Sequence, residues 1–313
     1  MQHENSYSLK NYVTGLAIIL LLVLMLPAKS WSQQVQDLQQ ITDRAIAAGL
    51  DRNQIEQIQE RAAGRGIDNE MLARLMEPAA DLAERGMPSD FMVQKMLEGL
   101  AKGVPAGRMM PVIESIHQHT PGAVALSEQW MNRTDVTPFV QSMGGQQSRF
   151  RGDLINASLK SLTQEVPSET IESVLVELGN PAVLQKASPQ VIAAAVGILP
   201  DIPASMLNEA GMQQMISRAV QGGFSAVDIQ KLPGAMNAAA KRSQLPSASI
   251  LNGLSNQIDN GIPANQVLQN LFNGNINAGP PNGIPGRPGG KPGDRPGQGQ
   301  GNGNGKGNGG FKT

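Results

Sequence analysis

The sequence predicts an all-α fold: short stapled helices in helical-hairpin-like repeats that form one or two curved lobes, followed by a disordered Gly/Pro-rich C-terminal tail. Three observations carry this expectation. Helix stop and start signals recur along the chain, as in Gly86-Met87-Pro88 and Gly103-Val104-Pro105; glycine can take the positive φ that ends a helix, and proline has the φ and the missing N–H that suit a first helical turn. The start signals carry apolar pairs five residues apart: Leu50 with Ile55, Ile67 with Leu72, Met87 with Met92, Val104 with Met109, Val166 with Ile171, Ile202 with Leu207, Leu245 with Ile250 and Ile262 with Val267. That is the separation of a hydrophobic staple, from the residue before an N-cap to the fourth helical position. Taken two helices at a time, Leu50 to Met87 and Ile67 to Val104 are each 37 residues and Val166 to Ile202 is 36, in the range of helical-hairpin solenoids. The Trp, Gly and Tyr positions of tetratricopeptide repeats and the Thr-Pro-Leu-His of ankyrin repeats are both missing, so the spacing points to neither.

In chain order, residues 1–32 read as a signal peptide. Lys10 precedes a mostly apolar run from Val13 to Leu26, and Pro27-Ala28-Lys29-Ser30-Trp31-Ser32 supplies small residues at cleavage spacing. The run is shorter than the ~20 residues of a spanning helix, so the membrane enters only through an uncleaved leader. Residues 33–143 form the first expected lobe. Val35, Leu38, Ile41, Ala45 and Ala48 make one helical stripe, and Asp51 with Gln54, then Asp68, supply helix starts. Thr120-Pro121 and Thr137-Pro138 read as further starts, and Gly144-Gly145 opens a hinge over 144–152. The second lobe, 153–272, starts a helix at Asp153, restarts at Asn180-Pro181 and Ser188-Pro189, and is rich in alanine around Ala193 to Ala195. Residues 273–313 hold 15 glycines and 6 prolines among 41, too little apolar surface to offset the entropy of ordering.

Composition narrows the function. With no cysteine there is no disulfide, thiolate nucleophile or Cys-bound metal. Residues 33–272 hold 18 basic and 24 acidic side chains, a balance of −6, whereas the tail holds five cations against Asp294, a balance of +4. Those cations, Arg287, Lys291, Arg295, Lys306 and Lys312, are the candidate contacts to an anionic envelope polymer. Phe311 alone gives too little stacking surface for a nucleic-acid partner.

Chemistry-bearing motifs are sparse. Glu114, His117 and His119 are the clustered metal-ligand types, but His117 and His119 point apart on a helix, so no metal is expected. No nucleophile elbow or phosphate-binding glycine loop occurs, and Glu165 with Glu169 is spaced like a solvated helix face. Neither a catalytic residue nor a cofactor nor a small-molecule substrate follows from these residues. Arg151-Gly152-Asp153 matches an adhesion tripeptide by chance composition, and Asn132-Arg133-Thr134 and Asn156-Ala157-Ser158 are glycan acceptors only in a eukaryotic secretory route. Seven methionines crowd between Met71 and Met110; Met92, Met96, Met109 and Met110 are the candidate contacts to a protein partner, against the plainer reading that they fill the core.

The sequence thus points to an exported, non-catalytic helical scaffold or protein-binding module, periplasmic, envelope-associated or secreted. The alternatives are an envelope hydrolase or metal-dependent enzyme, and a structural envelope protein attached through its tail. Amino-terminal sequencing of exported material should begin at Trp31 or Gln33; intact Met1 in the membrane fraction would show an anchor instead.

Overall fold

The structure, a computed structural model, describes residues 31–276, and side chains from 37 onward. The leader through residue 30 and the chain past 276 lie outside the described residues. Among the described residues there are fifteen α-helices and no strand. In chain order they are α1 (Trp31–Ala47), α2 (Arg52–Gly64), α3 (Asn69–Glu84), α4 (Asp90–Ala101), α5 (Ala106–Met131), α6 (Thr137–Ser142), α7 (Gln147–Thr163) and α8 (Ser168–Leu178). There follow α9 (Pro181–Leu184), α10 (Pro189–Gly197), α11 (Ala204–Leu207), α12 (Met212–Gln221), α13 (Ala226–Ser243), α14 (Ser247–Asp259) and α15 (Ala264–Asn273). The all-α class is as the sequence predicts.

One backbone device joins many of these helices. The N–H of Leu50 bonds to Ala45 O at 3.0 Å, and the same five-residue return is made by Ile67 to Ala62 (3.0 Å), Met87 to Leu82 (2.8 Å), Val104 to Gly99 (2.9 Å), Val166 to Ser161 (3.1 Å) and Ile262 to Gln257 (3.1 Å). This is the longer bond of a Schellman motif, and it requires a left-handed residue just before the donor. Gly49, Gly66, Gly86, Gly103 and Gly261 fill that position; before Val166 it is Glu165, at φ 63°. The same donor residue then opens the next helix. Ile55, Leu72, Met109, Ile171, Leu207, Ile250 and Val267 are each the fourth residue of their helix, and Met92 is the third. Either both members of a pair are buried, as in Val166 with Ile171, or one is buried and the other packs on the core half-exposed.

Side-chain caps complete several starts. Asp68 accepts from Met71 N (2.8 Å), Asn180 from Ala182 N (3.0 Å) and Ser188 from Val191 N (3.3 Å). Asp51 caps Asn53 N (2.7 Å) without the reciprocal Gln54 bond expected of it; the two-way capping box belongs to Ser225 and Asp228.

Two expected starts are helix interiors. Thr120 and Pro121 lie inside the 26-residue α5, where the Thr120 hydroxyl donates to Ile116 O at 2.7 Å. Ile113, Ile116, Thr120, Ala123, Ser127 and Trp130 form one buried stripe along α5, and burying that stripe outweighs the ~3 kcal/mol that an interior proline costs. Asp153 likewise sits inside α7, which begins at Gln147 directly after the 3-10 turn Gly144–Gln146. Arg151 is ion-paired with Glu128 on α5.

Alternate helices stack. α1 packs on α3, α3 on α5, α5 on α7, α7 on α10, α10 on α13 and α13 on α15; on the other side α2 packs on α4, α8 on α12 and α12 on α14. Polar side chains tie helices that are not neighbours in the chain by donating to carbonyls near helix carboxyl termini. Arg61 donates to Leu97 O (3.3 Å), Arg65 to Ala101 O (3.1 Å), Ser161 to Val196 O (3.0 Å), Lys160 to Gly197 O (2.9 Å) and Trp130 Nε1 to Leu175 O (2.5 Å). Among the described residues no buried side-chain nitrogen or oxygen lacks a partner.

Glu165 and Val166 separate the two halves of the connecting device. Glu165→Gly should stabilise the protein by about 0.5–1 kcal/mol, because relief of a left-handed non-glycine residue, roughly 1–2 kcal/mol, exceeds the glycine entropy cost of about 0.5–1 kcal/mol. Val166→Asp should cost on the order of 3 kcal/mol or more, since it loses apolar burial and buries an unpaired carboxylate. Denaturant titration measures both; equal effects at the two positions would refute the stapled connection.

Candidate functional site

A cleft of about 590 Å³ opens between α7, α10 and α13. Its α7 wall is Asp153, Asn156, Ala157 and Lys160; its α10 wall is Gln190, Ala193, Ala194 and Gly197. Both sets fall at i, i+3, i+4 and i+7, the spacing of a single helix face. Ala226 and Gln230, one turn apart, continue the lining on α13. Small residues let the walls approach: a Cβ on Gly197 would lie 3.6 Å from the Ala157 Cβ. The volume lies within the ~300–1,000 Å³ of ordinary ligand clefts.

The polar groups of this cleft divide into spent and unspent. Lys160 is committed, with its Nζ 2.7 Å from Asp201 Oδ2 as well as on Gly197 O. The amides of Asn156, Gln190 and Gln230 make no side-chain hydrogen bond among the described residues and are exposed or half-exposed. Three helices of one layer thus present one free amide each, able to donate and accept at once. The sequence reading did not identify this cleft. Asn156 drew notice only as a glycan acceptor, and what joins it to Gln190 and Gln230 is their shared helix face.

A smaller cleft, about 220 Å³, lies between α4 and α5 and is lined by Lys95, Glu98, Gly99, Lys102, Val104, Arg108, Met109, Val112 and Ile113. Lys95 and Lys102 both pair with Glu98, at 2.8 and 2.5 Å, and these ammonium groups, Lys102 foremost, hold the Glu98 carboxyl down to about 2. Of the methionines proposed for partner contact, Met92 and Met96 are buried core side chains, Met109 is buried with one side on this cleft, and Met110 is half-buried against the core. Arg287, Lys291, Arg295, Lys306 and Lys312 lie outside the described residues.

His117 faces α3, its Nε2 2.7 Å from Asp81 Oδ2. His117 first, and Arg85 after it, lower the Asp81 carboxyl below its ordinary range. Among the described residues no three His, Cys, Asp or Glu side chains gather as a metal would require. Nor is any described helix long and apolar enough to cross a membrane. Compared with protein-family models, curated proteins and solved structures, the chain matches none of them.

The Glu98 cluster has a defined pH signature. A depressed carboxyl contributes stability that is complete above its ordinary value of 4.5 and is lost as pH falls toward about 2. An NMR titration should place the Glu98 carboxyl midpoint near 2, and Lys102→Gln should move it back toward the ordinary value; an unmoved midpoint would mean that Lys102 is not the partner.

Proposed function

We propose that the protein is an exported, non-catalytic helical scaffold of the cell envelope or extracellular space, and that it binds an extended segment of a partner protein across α7, α10 and α13. The observation that carries this reading is the row of unspent amides Asn156, Gln190 and Gln230 lining one cleft. An extended backbone offers alternating N–H and C=O groups, and an amide side chain answers either. Packed helices stand ~8–10 Å apart and an extended chain advances ~3.3 Å per residue, so three helices match a segment of about six residues. Ala193, Ala194 and Gly197 between the amides keep the floor low enough for a backbone to approach. Export rests on the apolar run before Pro27 and the small residues after it.

The triple variant Asn156→Ala, Gln190→Ala, Gln230→Ala tests the reading. These side chains make no bond within the described residues, and alanine favours helix, so the thermal midpoint should stay unchanged or rise. In pull-downs from envelope extract, the proteins captured by the wild type should be depleted about tenfold or more by loss of three hydrogen-bonding groups. An undiminished set would place the interaction elsewhere.

A further inference from the structure

We propose that the cleft between α4 and α5 is a binding site for a small anionic amphipath, a single acyl chain of about eight carbons ending in a carboxylate, its chain over Gly99, Met109 and Ile113 and its carboxylate at Arg108. Arg108 is the first observation. It is the third residue of α5, in the turn where the helix dipole disfavours a cation. It is exposed and its guanidinium makes no hydrogen bond or ion pair among the described residues, so the contacts of the folded chain give no reason for a cation there.

The apolar floor is the second. Gly99 interrupts α4 near its end, where alanine would suit the helix better by about 1 kcal/mol. A Cβ at Gly99 would collide with the Met109 sulfur, so glycine keeps the thioether at the cleft floor. Val112, one turn beyond Arg108 on the same face, is 50% exposed, which places a large apolar side chain in water beside an unpaired cation.

Charge and size select the occupant. The lining holds Lys95, Lys102 and Arg108 against Glu98, three cations to one carboxylate. Arg61 and Arg65 lie behind α4 on the Leu97 and Ala101 carbonyls, so the surroundings stay positive and attract an anion. The volume of about 220 Å³ lies below the ~300 Å³ where drug-sized ligands begin and above the ~150 Å³ that accepts a benzene. One short alkyl chain fits it; a folded peptide segment does not.

The test uses the full chain carrying methyl-labelled methionine, titrated with sodium octanoate and separately with octan-1-ol. The Met109 methyl signal, assigned through Met109→Leu, should move saturably with octanoate, while octanol should bind about tenfold or more weakly for want of the charge-assisted bond. Arg108→Gln should weaken octanoate by a similar factor with an unchanged thermal midpoint, and Arg108→Lys should recover most of the affinity. Equal affinity for octanol, or an Arg108→Gln variant that binds octanoate as the wild type does, would reduce the cleft to an apolar crevice and overturn the proposal. So would a Met109 signal that answers a glutamate-rich hexapeptide and ignores octanoate.

Discussion

The structure depends on the double duty of one apolar residue at six of its helix junctions. At Leu50, Ile67, Met87, Val104, Val166 and Ile262 the backbone N–H closes the preceding helix, while the side chain packs at the entry of the next. Neither role is strong alone: a single backbone hydrogen bond contributes about 1 kcal/mol net and a half-buried aliphatic side chain little more. Joined in one residue they fix the exit of one helix and the entry of the next together. The chain has few aromatics and no cysteine, so repeated small constraints of this kind do the work that a large aromatic core or a disulfide framework does in other proteins.

Fixed junctions explain the polar ties between layers. If each turn reproduces the same angle, a side chain two helices away reaches the same place on its target, as Arg61 and Arg65 do on Leu97 O and Ala101 O. Farther along, Lys160 and Ser161 repeat the contact on Gly197 O and Val196 O. Each cap satisfies a carbonyl at the negative end of a helix, and the lysine and arginines add a favourable charge there. The Arg44 guanidinium also reaches across to α3, but to the side-chain carboxylates of Glu77 and Glu84, and it holds the Glu84 carboxyl below its ordinary range.

Local signals were legible where the physics is local. Asp68, Asn180 and Ser188 cap the helices that their sequence context marks, and the staple pairs fall at or within one residue of the fourth helical position. Pro121 misleads because its local meaning, a helix start, is overridden by a buried stripe running from Ile113 to Trp130. Asp153 misleads similarly, since α7 starts six residues earlier, after a glycine turn. Of the two clefts the sequence marked one lining contact, Met109. Asn156, Gln190 and Gln230 lie on three helices that local periodicity does not align, and Met92 and Met96 sit on the buried side of α4, whose orientation tertiary packing decides.

The two clefts differ in a way that bears on how a partner protein and a small ligand would be told apart. The α7–α10–α13 cleft is wide, bounded by alanines and, beside Asp153 and the Lys160–Asp201 pair, lined by neutral amides whose hydrogen bonds go to water when nothing is bound; exchanging water for a backbone there gains little per contact, so affinity must come from length. The α4–α5 cleft is narrow, apolar at its floor and cationic at its rim, so a small ligand would gain from expelling water off Met109 and Val112 and from one charge-assisted bond. Salt therefore acts on them unequally. Added salt screens the exposed Arg108 charge and leaves amide hydrogen bonds nearly untouched, so occupancy of the narrow cleft should fall with ionic strength while that of the wide cleft holds. The two surfaces also lie on different helices, α4 and α5 against α7, α10 and α13, and no residue lines both, so loss of binding at one carries no necessary loss at the other.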